Sequence, residues 1–322
     1  MNKKEKRNSI AEKVNIRAQY AKPFVKWAGG KGNLLTILES QLPSDFDLQD
    51  KVTYVEPFVG GGAMLFHMLN THNNISHVVI NDINRDLIRC YYLVKKNPRA
   101  LIKLLYPFEQ KYYELSEDER RSYFYEVRRK YNSGELDDNQ RAAHFIFLNH
   151  TCFNGLYREN ASGEFNVPFG RYKKPKICNV DVIMANHKVL SKVDILCGDY
   201  KEVLHHIGNG YHFIYLDPPY RPLLGSDNFK QYSKSGFDDS EQEELKTFCD
   251  RLTELNCTLM LSNSDSTNED GTSYFEALYE GYSFGKVLAP RFINAYAERR
   301  EKQKEVLIKN YINSKESLPL IP

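Results

Sequence analysis

A short turn with the sequence Asp217-Pro218-Pro219-Tyr220 follows the apolar run at residues 213–216. Doubly wound sheets place their chemistry at the carboxyl ends of strands, where this aspartate would lie. The two prolines fix their φ angles and remove two backbone N–H donors, so the turn presents mainly acceptors. Such a turn suits a group that donates two hydrogens, such as an exocyclic NH2, and Tyr220 offers a flat face for stacking. An ordinary strand-ending turn is the alternative interpretation.

A glycine-rich corner is the second candidate. The strand pattern at residues 52–55 ends in Glu56, and glycines 60–62 then open a helix. Glycine lets the backbone approach a ligand closely. Asp82 lies twenty residues after Gly62 and ends the next strand, the position of the ribose carboxylate in nucleotide-binding α/β folds. The glycines do not form a strict G-x-G-x-x-G, so the spacing leaves a dinucleotide, an adenosyl ligand or a plain glycine turn open.

The segment at residues 24–31 contains the only tryptophan, Trp27, followed by Gly29-Gly30 and bracketed by Lys26 and Lys31. The two glycines allow a close backbone approach. Taken alone, the segment is better explained by a tryptophan that anchors the N-terminal region to the core.

Secondary-structure patterns indicate how these residues are positioned. Short apolar strands alternate with helical patterns, which predicts a parallel, doubly wound sheet. The strands are predicted at residues 52–55, 78–80, 194–196, 213–216 and 258–261, and helices at 63–70, 85–95 and 241–255.

Residues 98–193 interrupt this alternation. They begin with helical patterns at 101–113, 118–131 and 140–149, and continue into residues 152–176, which are rich in glycine, asparagine, arginine and aromatic side chains. That stretch is too apolar for disorder. We therefore predict a flexible basic arm over 1–20, a catalytic domain from 21–97 and 194–322, and an inserted, mostly helical module over 98–193.

Composition excludes several classes of protein. No apolar run approaches the roughly 18–20 residues that a membrane helix needs. The six cysteines are scattered without C-x-x-C spacing, which argues against a disulfide scaffold or a zinc ribbon. The 44 basic and 42 acidic side chains leave a net charge of only +2, so overall charge does not indicate nucleic-acid binding. We expect a cytoplasmic protein without a secretory signal.

Together, these motifs identify a family resemblance. The most specific stretch is Phe153-Asn154-Gly155-Leu156-Tyr157-Arg158, followed by Gly163-Glu164-Phe165-Asn166-Val167-Pro168-Phe169-Gly170-Arg171-Tyr172-Lys173-Lys174. With the glycine corner and the Asp217 turn, it resembles the Dam-type DNA adenine-N6 methyltransferases that act on GATC. The resemblance runs from about residue 24 to residue 311. It implies an α/β, Rossmann-like methyltransferase sheet with an inserted target-recognition domain that carries a β-hairpin.

The resemblance also implies a cofactor, S-adenosyl-L-methionine (AdoMet), with S-adenosyl-L-homocysteine as product and no metal. The positions that match the family's cofactor contacts are Trp27, Lys31, Glu56, Gly60, Gly62, Asp82, Asp199 and Asp217. The catalytic positions are Asp217, Pro218, Pro219 and Tyr220. Asp217 and the Pro218 carbonyl would accept both N6 hydrogens of an adenine flipped out of duplex DNA, and Tyr220 would stack on it.

The DNA-binding positions implied by the resemblance are Lys26, Phe153, Asn154, Leu156, Arg158, Pro168, Arg171, Tyr172, Lys173 and Lys174. Arg158 is suited to a bidentate contact with guanine, whereas the basic residues after it suit phosphates. Residues 228–237, with Tyr232, suggest a loop over the target base. We expect a monomer of bacterial or phage type, associated with the nucleoid.

Other functions stay open at this point. A methyltransferase of a restriction-modification system could read a longer site that contains GAT, and the same corner could serve a cytosine-N4 or an RNA methyltransferase. A non-catalytic DNA-binding module is disfavoured by the intact Asp217 turn. A nicotinamide-dependent dehydrogenase is disfavoured by the absence of a strict glycine fingerprint.

Overall fold

The computed structural model describes residues 20–223, 237–289 and 303–313. The chain divides into two compact units. The helical unit comprises Met1–Ala28 and Tyr92–Ser191, and the sheet unit comprises Gly29–Tyr91 and Lys192–Pro322. The predicted basic arm and the loop at 228–237 with Tyr232 lie outside the described residues, apart from Tyr20 and Phe237.

The sheet unit is built on one sheet whose strands run in the order β3-β2-β1-β4-β5-β7-β6. Strands β1 to β5 are parallel, and β7 runs antiparallel to both of its neighbours. The strands are β1 (Val52–Glu56), β2 (Ile75–Asp82), β3 (Val193–Cys197), β4 (Tyr211–Leu216), β5 (Thr258–Ser264), β6 (Ser283–Ala289) and β7 (Gln303–Lys309). The predicted Rossmann-like sheet is therefore confirmed, and β6 and β7 complete it.

The helices cover the sheet and form the inserted module. In chain order they are α1 (Leu35–Ser40), α2 (Ala63–Thr71), α3 (Arg85–Lys96), α4 (Pro98–Glu114), α5 (Glu117–Asn132), α6 (Asp138–Thr151), α7 (Val180–Val189), α8 (Asp239–Glu254) and α9 (Tyr274–Leu278). The helices predicted from the sequence are all present. Among the described residues, no helix combines the length and the apolar character that a membrane span requires.

The central strands are apolar because both of their faces are covered. Val55, Ile214 and Leu259, from β1, β4 and β5, are fully buried in one cluster with Leu245 and Leu252 of α8. A strand buried on both faces has a nearly continuous apolar sequence. The polar side chains of these strands are consequently concentrated at the strand ends.

The helical unit packs α4, α5 and α6 around aromatic side chains. Phe147 of α6 is fully buried, and its ring centroid lies 4.9 Å from that of Phe108 and 5.5 Å from that of Tyr123. Ser116 and Asp137 begin α5 and α6 with capping boxes, in which side chain and backbone satisfy each other's hydrogen bonds.

The predicted β-hairpin at residues 152–176 takes the form of a bridged loop. Two isolated antiparallel bridges join Cys152 to Phe169 and Glu159 to Phe165, and no regular strand forms among these described residues. Helix α5 binds the outer edge of this loop. The Asn132 side chain bonds both the N–H and the carbonyl of Phe165, at 3.1 and 3.0 Å, whereas the neighbouring Asn166 N–H and Glu164 carbonyl make the antiparallel bonds.

Residues 21–28 are hydrogen-bonded to the helical unit. The Asn149 side chain accepts from the Lys26 N–H at 2.7 Å and donates to the Lys26 carbonyl at 2.8 Å. Asn186 binds the backbone of Lys22 in the same way, at 3.0 and 2.9 Å. The contact division thus differs from the predicted domain limits at residues 21–28 and 92–97, which it assigns to the helical unit.

Candidate functional site

Three neighbouring strands carry acidic side chains at their carboxyl ends. Glu56 ends β1, Asp82 ends β2, and Asp217 directly follows β4. Because β1 lies between β2 and β4, this edge includes the point where the strand order reverses. Ligands of open α/β sheets bind at such a point. The sheet unit therefore places these three predicted site residues at one edge.

The glycine corner is fixed by Asp82. Its two carboxylate oxygens accept from the Gly60 N–H at 3.0 Å and from the Asn84 N–H at 2.9 Å. Burial raises the pKa of Asp82, and these backbone bonds oppose that rise. Each carboxylate oxygen can accept more than one hydrogen bond, so Asp82 keeps acceptor capacity for a ligand.

Gly62 begins α2 under two constraints. Its φ of +73° is a left-handed conformation, and a Cβ at this position would lie 2.5 Å from the Tyr91 hydroxyl oxygen. That hydroxyl donates to the Gly60 carbonyl at 3.0 Å. Only glycine fits both the backbone angle and the space, so the corner has one well-defined shape.

Asn81 is a site residue that sequence reasoning missed. It is 1% exposed, and its side-chain amide donates to the Pro57 carbonyl at 3.1 Å and to the Gly198 carbonyl at 3.0 Å. Asn81 thereby ties the chain after β1 and after β3 to the end of β2. An asparagine at the end of an apolar strand was the available signal.

Two further residues flank this corner. Asp199 caps the short 3₁₀ helix Tyr200–His206, where its carboxylate accepts from the Lys201 N–H at 2.8 Å, and it is exposed. Ile83, which follows Asp82, is 81% exposed. An exposed isoleucine beside polar acceptors offers an apolar surface to a flat ligand, and the sequence analysis did not single it out.

Lys31 is paired with Asp217. The Lys31 Nζ lies 2.8 Å from the Asp217 carboxylate, donates to the Gly29 carbonyl at 2.9 Å, and lies 4.5 Å from the centroid of the Tyr220 ring. Lys31 is 5% exposed. The predicted cofactor contact at Lys31 is thus also a direct partner of the predicted catalytic carboxylate.

Among the described residues around the Asp217 turn, carboxyl groups outnumber ammonium groups. Burial raises the pKa of Glu56 to about 8; the Tyr54 hydroxyl, which donates to Glu56, opposes the rise, and the charge of Asp217 adds to it. Burial also raises the pKa of Asp217, against the effect of Lys31, and that of Glu305 on β7. Such a group of carboxyls favours a cationic ligand.

The Asp217 turn is held from beneath by residues that sequence reasoning did not identify. The Gln242 side chain of α8 donates to the Pro219 carbonyl at 3.2 Å. Asn263 of β5 accepts from the Arg221 N–H at 3.1 Å, and the Arg221 guanidinium binds Asp239 through two bonds of 2.8 and 3.1 Å.

These bonds leave one acceptor of the turn available. The Pro218 carbonyl has no hydrogen-bond donor within residues 20–223, 237–289 and 303–313. The turn therefore has two acceptors, the Asp217 carboxylate and this carbonyl, and their predicted role toward a donor group stays a prediction.

The helical unit contains the other predicted residues. Trp27 stacks on Tyr157, with centroids 5.8 Å apart, and also packs near Phe145. This is the anchoring role that the sequence left open. The Lys26 stem fills the space beside Gly155, where any Cβ would overlap it, and its ammonium lies 4.0 Å from the Tyr172 ring centroid.

The bridged loop presents most of the predicted DNA-binding residues to solvent. Phe153 is 49% exposed, and Leu156 and Tyr172 are half-buried. The Arg158 Nε donates to Asn166 at 2.7 Å, so Asn166, rather than Glu159 or Glu164, orients the guanidinium. The exposed members are Phe153, Asn154, Arg158, Pro168, Arg171, Lys173 and Lys174.

No group of three or more His, Cys, Asp or Glu side chains in the described part of the chain is arranged to hold a metal ion. The candidate site of the sheet unit consists of acceptors, one ammonium and aromatic or apolar faces. That set suits a cationic organic ligand and a planar donor.

Comparison with known proteins agrees with this chemistry. Residues 27–291 match the D12 class N6 adenine-specific DNA methyltransferase family. Type II methyltransferase M.MjaIII of Methanocaldococcus jannaschii is 42% identical over 293 residues, covering 90% of this chain and 99% of that protein. Type II methyltransferase M1.LlaDCHI of Lactococcus lactis subsp. cremoris is 33% identical over 306 residues (94% and 98%). DNA adenine methylase of Vibrio cholerae is 33% identical over 285 residues (88% and 94%).

The raised pKa of Glu56 predicts a pH-dependent stability. The folded protein holds a proton on Glu56 up to about pH 8, whereas the unfolded chain releases it near the ordinary pKa of 4.5. The free energy of unfolding should therefore fall as pH rises between these values, by up to about 1.4 kcal/mol per pH unit from this group.

Glu56→Gln removes that contribution. Urea unfolding of both proteins at several pH values between these limits should give a shallower slope for the variant. Equal slopes in the two proteins would mean that Glu56 is ionised in the folded state.

Proposed function

The chain belongs to the D12 class of N6 adenine-specific DNA methyltransferases. On that premise we propose that its target is the adenine of GATC. We also propose that the residues described above bind this adenine and direct its methylation. Membership in this family makes the protein an AdoMet-dependent enzyme that modifies adenine N6 in DNA, which decides against the cytosine-N4 and dehydrogenase alternatives. The acceptor pair of Asp217 and the Pro218 carbonyl is the observation that carries the assignment of the catalytic residues.

The sheet unit fits AdoMet. Asp82 keeps acceptor capacity for two ribose hydroxyls, and Ile83 offers an apolar face to an adenine ring. Gly62 keeps the glycine corner in one shape beside Asp82, the Asp82 carboxylate binds the Gly60 N–H, and Asp199 is exposed. The carboxyls of Glu56 and Asp217 complement a ligand that carries a sulfonium and an ammonium.

Asp217 would act on the N6 amino group. The lone pair of adenine N6 is delocalised into the ring, so this nitrogen is a poor nucleophile. When Asp217 and the Pro218 carbonyl accept its two hydrogens, the nitrogen becomes more pyramidal and its lone pair more localised. These bonds strengthen toward the transition state and so lower the barrier. AdoMet, when bound, supplies an electrophilic methyl group on its sulfonium.

Lys31 supports this role of Asp217. Burial alone raises the pKa of Asp217 and favours the protonated carboxyl, which accepts hydrogen bonds poorly. The Lys31 ammonium, 2.8 Å away, stabilises the anion. Tyr220 provides the face on which the extruded base stacks, and Pro219 holds the turn rigid.

The helical unit would read the DNA. Arg158, oriented by Asn166, is suited to guanine O6 and N7, and Leu156 and Pro168 are suited to thymine methyl groups. Phe153 is exposed and would insert between base pairs next to the flipped adenine. The remaining members of this proposed surface are Lys26, Asn154, Arg171, Tyr172, Lys173 and Lys174, of which the last four suit phosphates.

A second candidate function is supported by the relatives. M.MjaIII and M1.LlaDCHI are type II methyltransferases, so this chain could protect DNA in a restriction-modification system and read a longer site containing GAT. In either case we place its action on double-stranded DNA in the cytoplasm of a bacterial or phage-infected cell, in line with bacterial relatives. The monomeric state stays a prediction.

One assay tests the target. The protein is incubated with tritiated AdoMet and duplexes that contain GATC, GATC within different flanking pairs, or no GATC, and the labelled nucleoside is identified. N6-methyladenine in every GATC duplex and in no other supports the proposal. Label that depends on flanking pairs favours the longer site.

Asp217→Asn tests the acceptor pair with almost no change in shape. The variant should bind AdoMet but lose methyl transfer by at least about 10²-fold, the usual effect of removing one preorganised group at a developing charge. Single-turnover transfer and calorimetric AdoMet binding measure the two properties. Near-normal turnover would contradict the mechanism.

Asp82→Ala should mainly weaken AdoMet binding. Losing charge-assisted bonds to ribose should cost roughly 1.5–3 kcal/mol, or about 10–150-fold in Kd. Calorimetry gives the affinity. Asp194→Ala is a matched control, because this substitution removes the same charge from β3. Asp194 is half-exposed and paired with Val79, away from the carboxyl ends of the strands. Equal losses in both variants would argue against a ribose contact.

Arg158→Ala should relax discrimination at one G·C pair of the site by about 1–3 kcal/mol. Lys173→Ala and Lys174→Ala remove the same charge from the same loop, but should weaken all sequences alike and lower the salt slope by about one unit. Methylation rates are compared on GATC and on duplexes substituted at each position, at two salt concentrations. If Arg158→Ala lowers the methylation rate of every duplex by the same factor, Arg158 contacts a phosphate and does not read a base.

A further inference from the structure

Glu305 is a buried carboxyl that the proposed chemistry does not use. It lies on β7, between Ser264 of β5 and Val287 of β6 in the ladder, and is 8% exposed. Its Oε2 accepts a hydrogen bond from the Tyr220 hydroxyl at 2.8 Å. Strand β7, which follows Tyr220 by more than 80 residues, thus has its first residues beside the Asp217 turn.

The Tyr220 ring is restrained at two points. The hydroxyl is bound to Glu305, and the Lys31 ammonium lies over the ring at 4.5 Å from its centroid. A tyrosine ring that is bound only through its backbone can turn about χ1 and χ2. With its hydroxyl fixed and one face next to Lys31, the ring presents its other face in one orientation.

Packing alone does not account for a carboxyl at this position. Burial raises the pKa of Glu305, which shows that the ionised group is costly there, and the Lys31 charge and the Tyr220 bond only oppose this rise. An apolar side chain between β5 and β6 would avoid that cost. The carboxyl does, however, accept a hydrogen bond from the Tyr220 hydroxyl, which also interacts with Asp217.

We propose that Glu305 is a positioning residue for the target base: through the Tyr220 hydroxyl it holds the ring in the plane on which the extruded adenine stacks. This inference rests on the proposed function, because it assumes that the base stacks on Tyr220. Glu305 itself does not touch the base in this arrangement. Its effect is on how the adenine N6 is aligned with the acceptors of the turn.

Alignment of the base affects the methyl-transfer step more than cofactor binding. Losing one neutral hydrogen bond corresponds to about 5–10-fold in rate when the bond acts only on alignment. Removing the hydroxyl breaks its bond to Glu305 together with its interaction with Asp217, so Tyr220→Phe should lose at least as much as Glu305→Ala. Removing both groups should cost no more than removing the hydroxyl alone.

The experiment is a double-mutant cycle with Tyr220→Phe, Glu305→Ala and the double variant, with Glu305→Gln as the conservative member. We expect Glu305→Ala to lose about 5–10-fold in single-turnover rate, and Tyr220→Phe and the double variant to share one loss that is at least as large, with the KM for AdoMet unchanged. Glu305→Gln keeps an acceptor oxygen and should lose less than Glu305→Ala.

A second readout follows the base directly. A duplex with 2-aminopurine in place of the target adenine fluoresces when the base leaves the stack and is quenched when it stacks on an aromatic ring. Tyr220→Phe and Glu305→Ala should both be less quenched than the parent. A purely structural role for Glu305 would lower the thermal unfolding temperature without this change in quenching.

Two outcomes overturn the inference. One is a Tyr220→Phe variant with parental rate and quenching, a result that stands even if Glu305→Ala does not fold. The other is a set of losses that multiply in the double variant, which would mean that Glu305 acts independently of the hydroxyl. In both cases N6-methyladenine formation by the parent protein would leave the proposed function intact, whereas its absence on every duplex would refute that function.

Discussion

The ion pair between Lys31 and Asp217 is the interaction on which the site depends. Among the described residues of the sheet unit, burial raises the pKa of three carboxyls, Glu56, Asp217 and Glu305, and the Lys31 ammonium lies 2.8 Å from Asp217. The Lys31 charge opposes the rise at Asp217 and favours its ionised form. Removing either member of such a pair leaves an uncompensated buried charge, which is far more costly than the pair itself.

The sequence carried enough information for the sheet and for the acidic strand ends. Parallel strands buried on both faces produce apolar runs, and the polar residues that end those runs stand out. Gln242 and Glu305 did not stand out, because their partners are 21 to 85 residues away along the chain. A single sequence gives no signal for pairs brought together only by strand order.

The bridged loop shows a different limit of sequence reasoning. Its alternating buried residues, Phe165, Val167 and Phe169, suggest a strand, and the antiparallel return is present. The backbone groups on the other edge of this segment bind side chains of α5: Asn132 binds Phe165, and Arg128 donates to the Val167 carbonyl at 3.2 Å. The periodicity of a strand was predictable, whereas the side chains that bind its outer edge were not.

The order of strands has a consequence for biosynthesis. The chain emerges from the ribosome with β1, β2 and β4 first, so the acidic strand ends and the Asp217 turn are synthesised before β6 and β7. Strand β7 lies between β5 and β6, although it is synthesised after both, and it carries the Glu305 carboxyl that binds Tyr220. A nascent chain that stops short of residue 303 therefore carries the acceptors of the turn but lacks the carboxyl that restrains the Tyr220 ring.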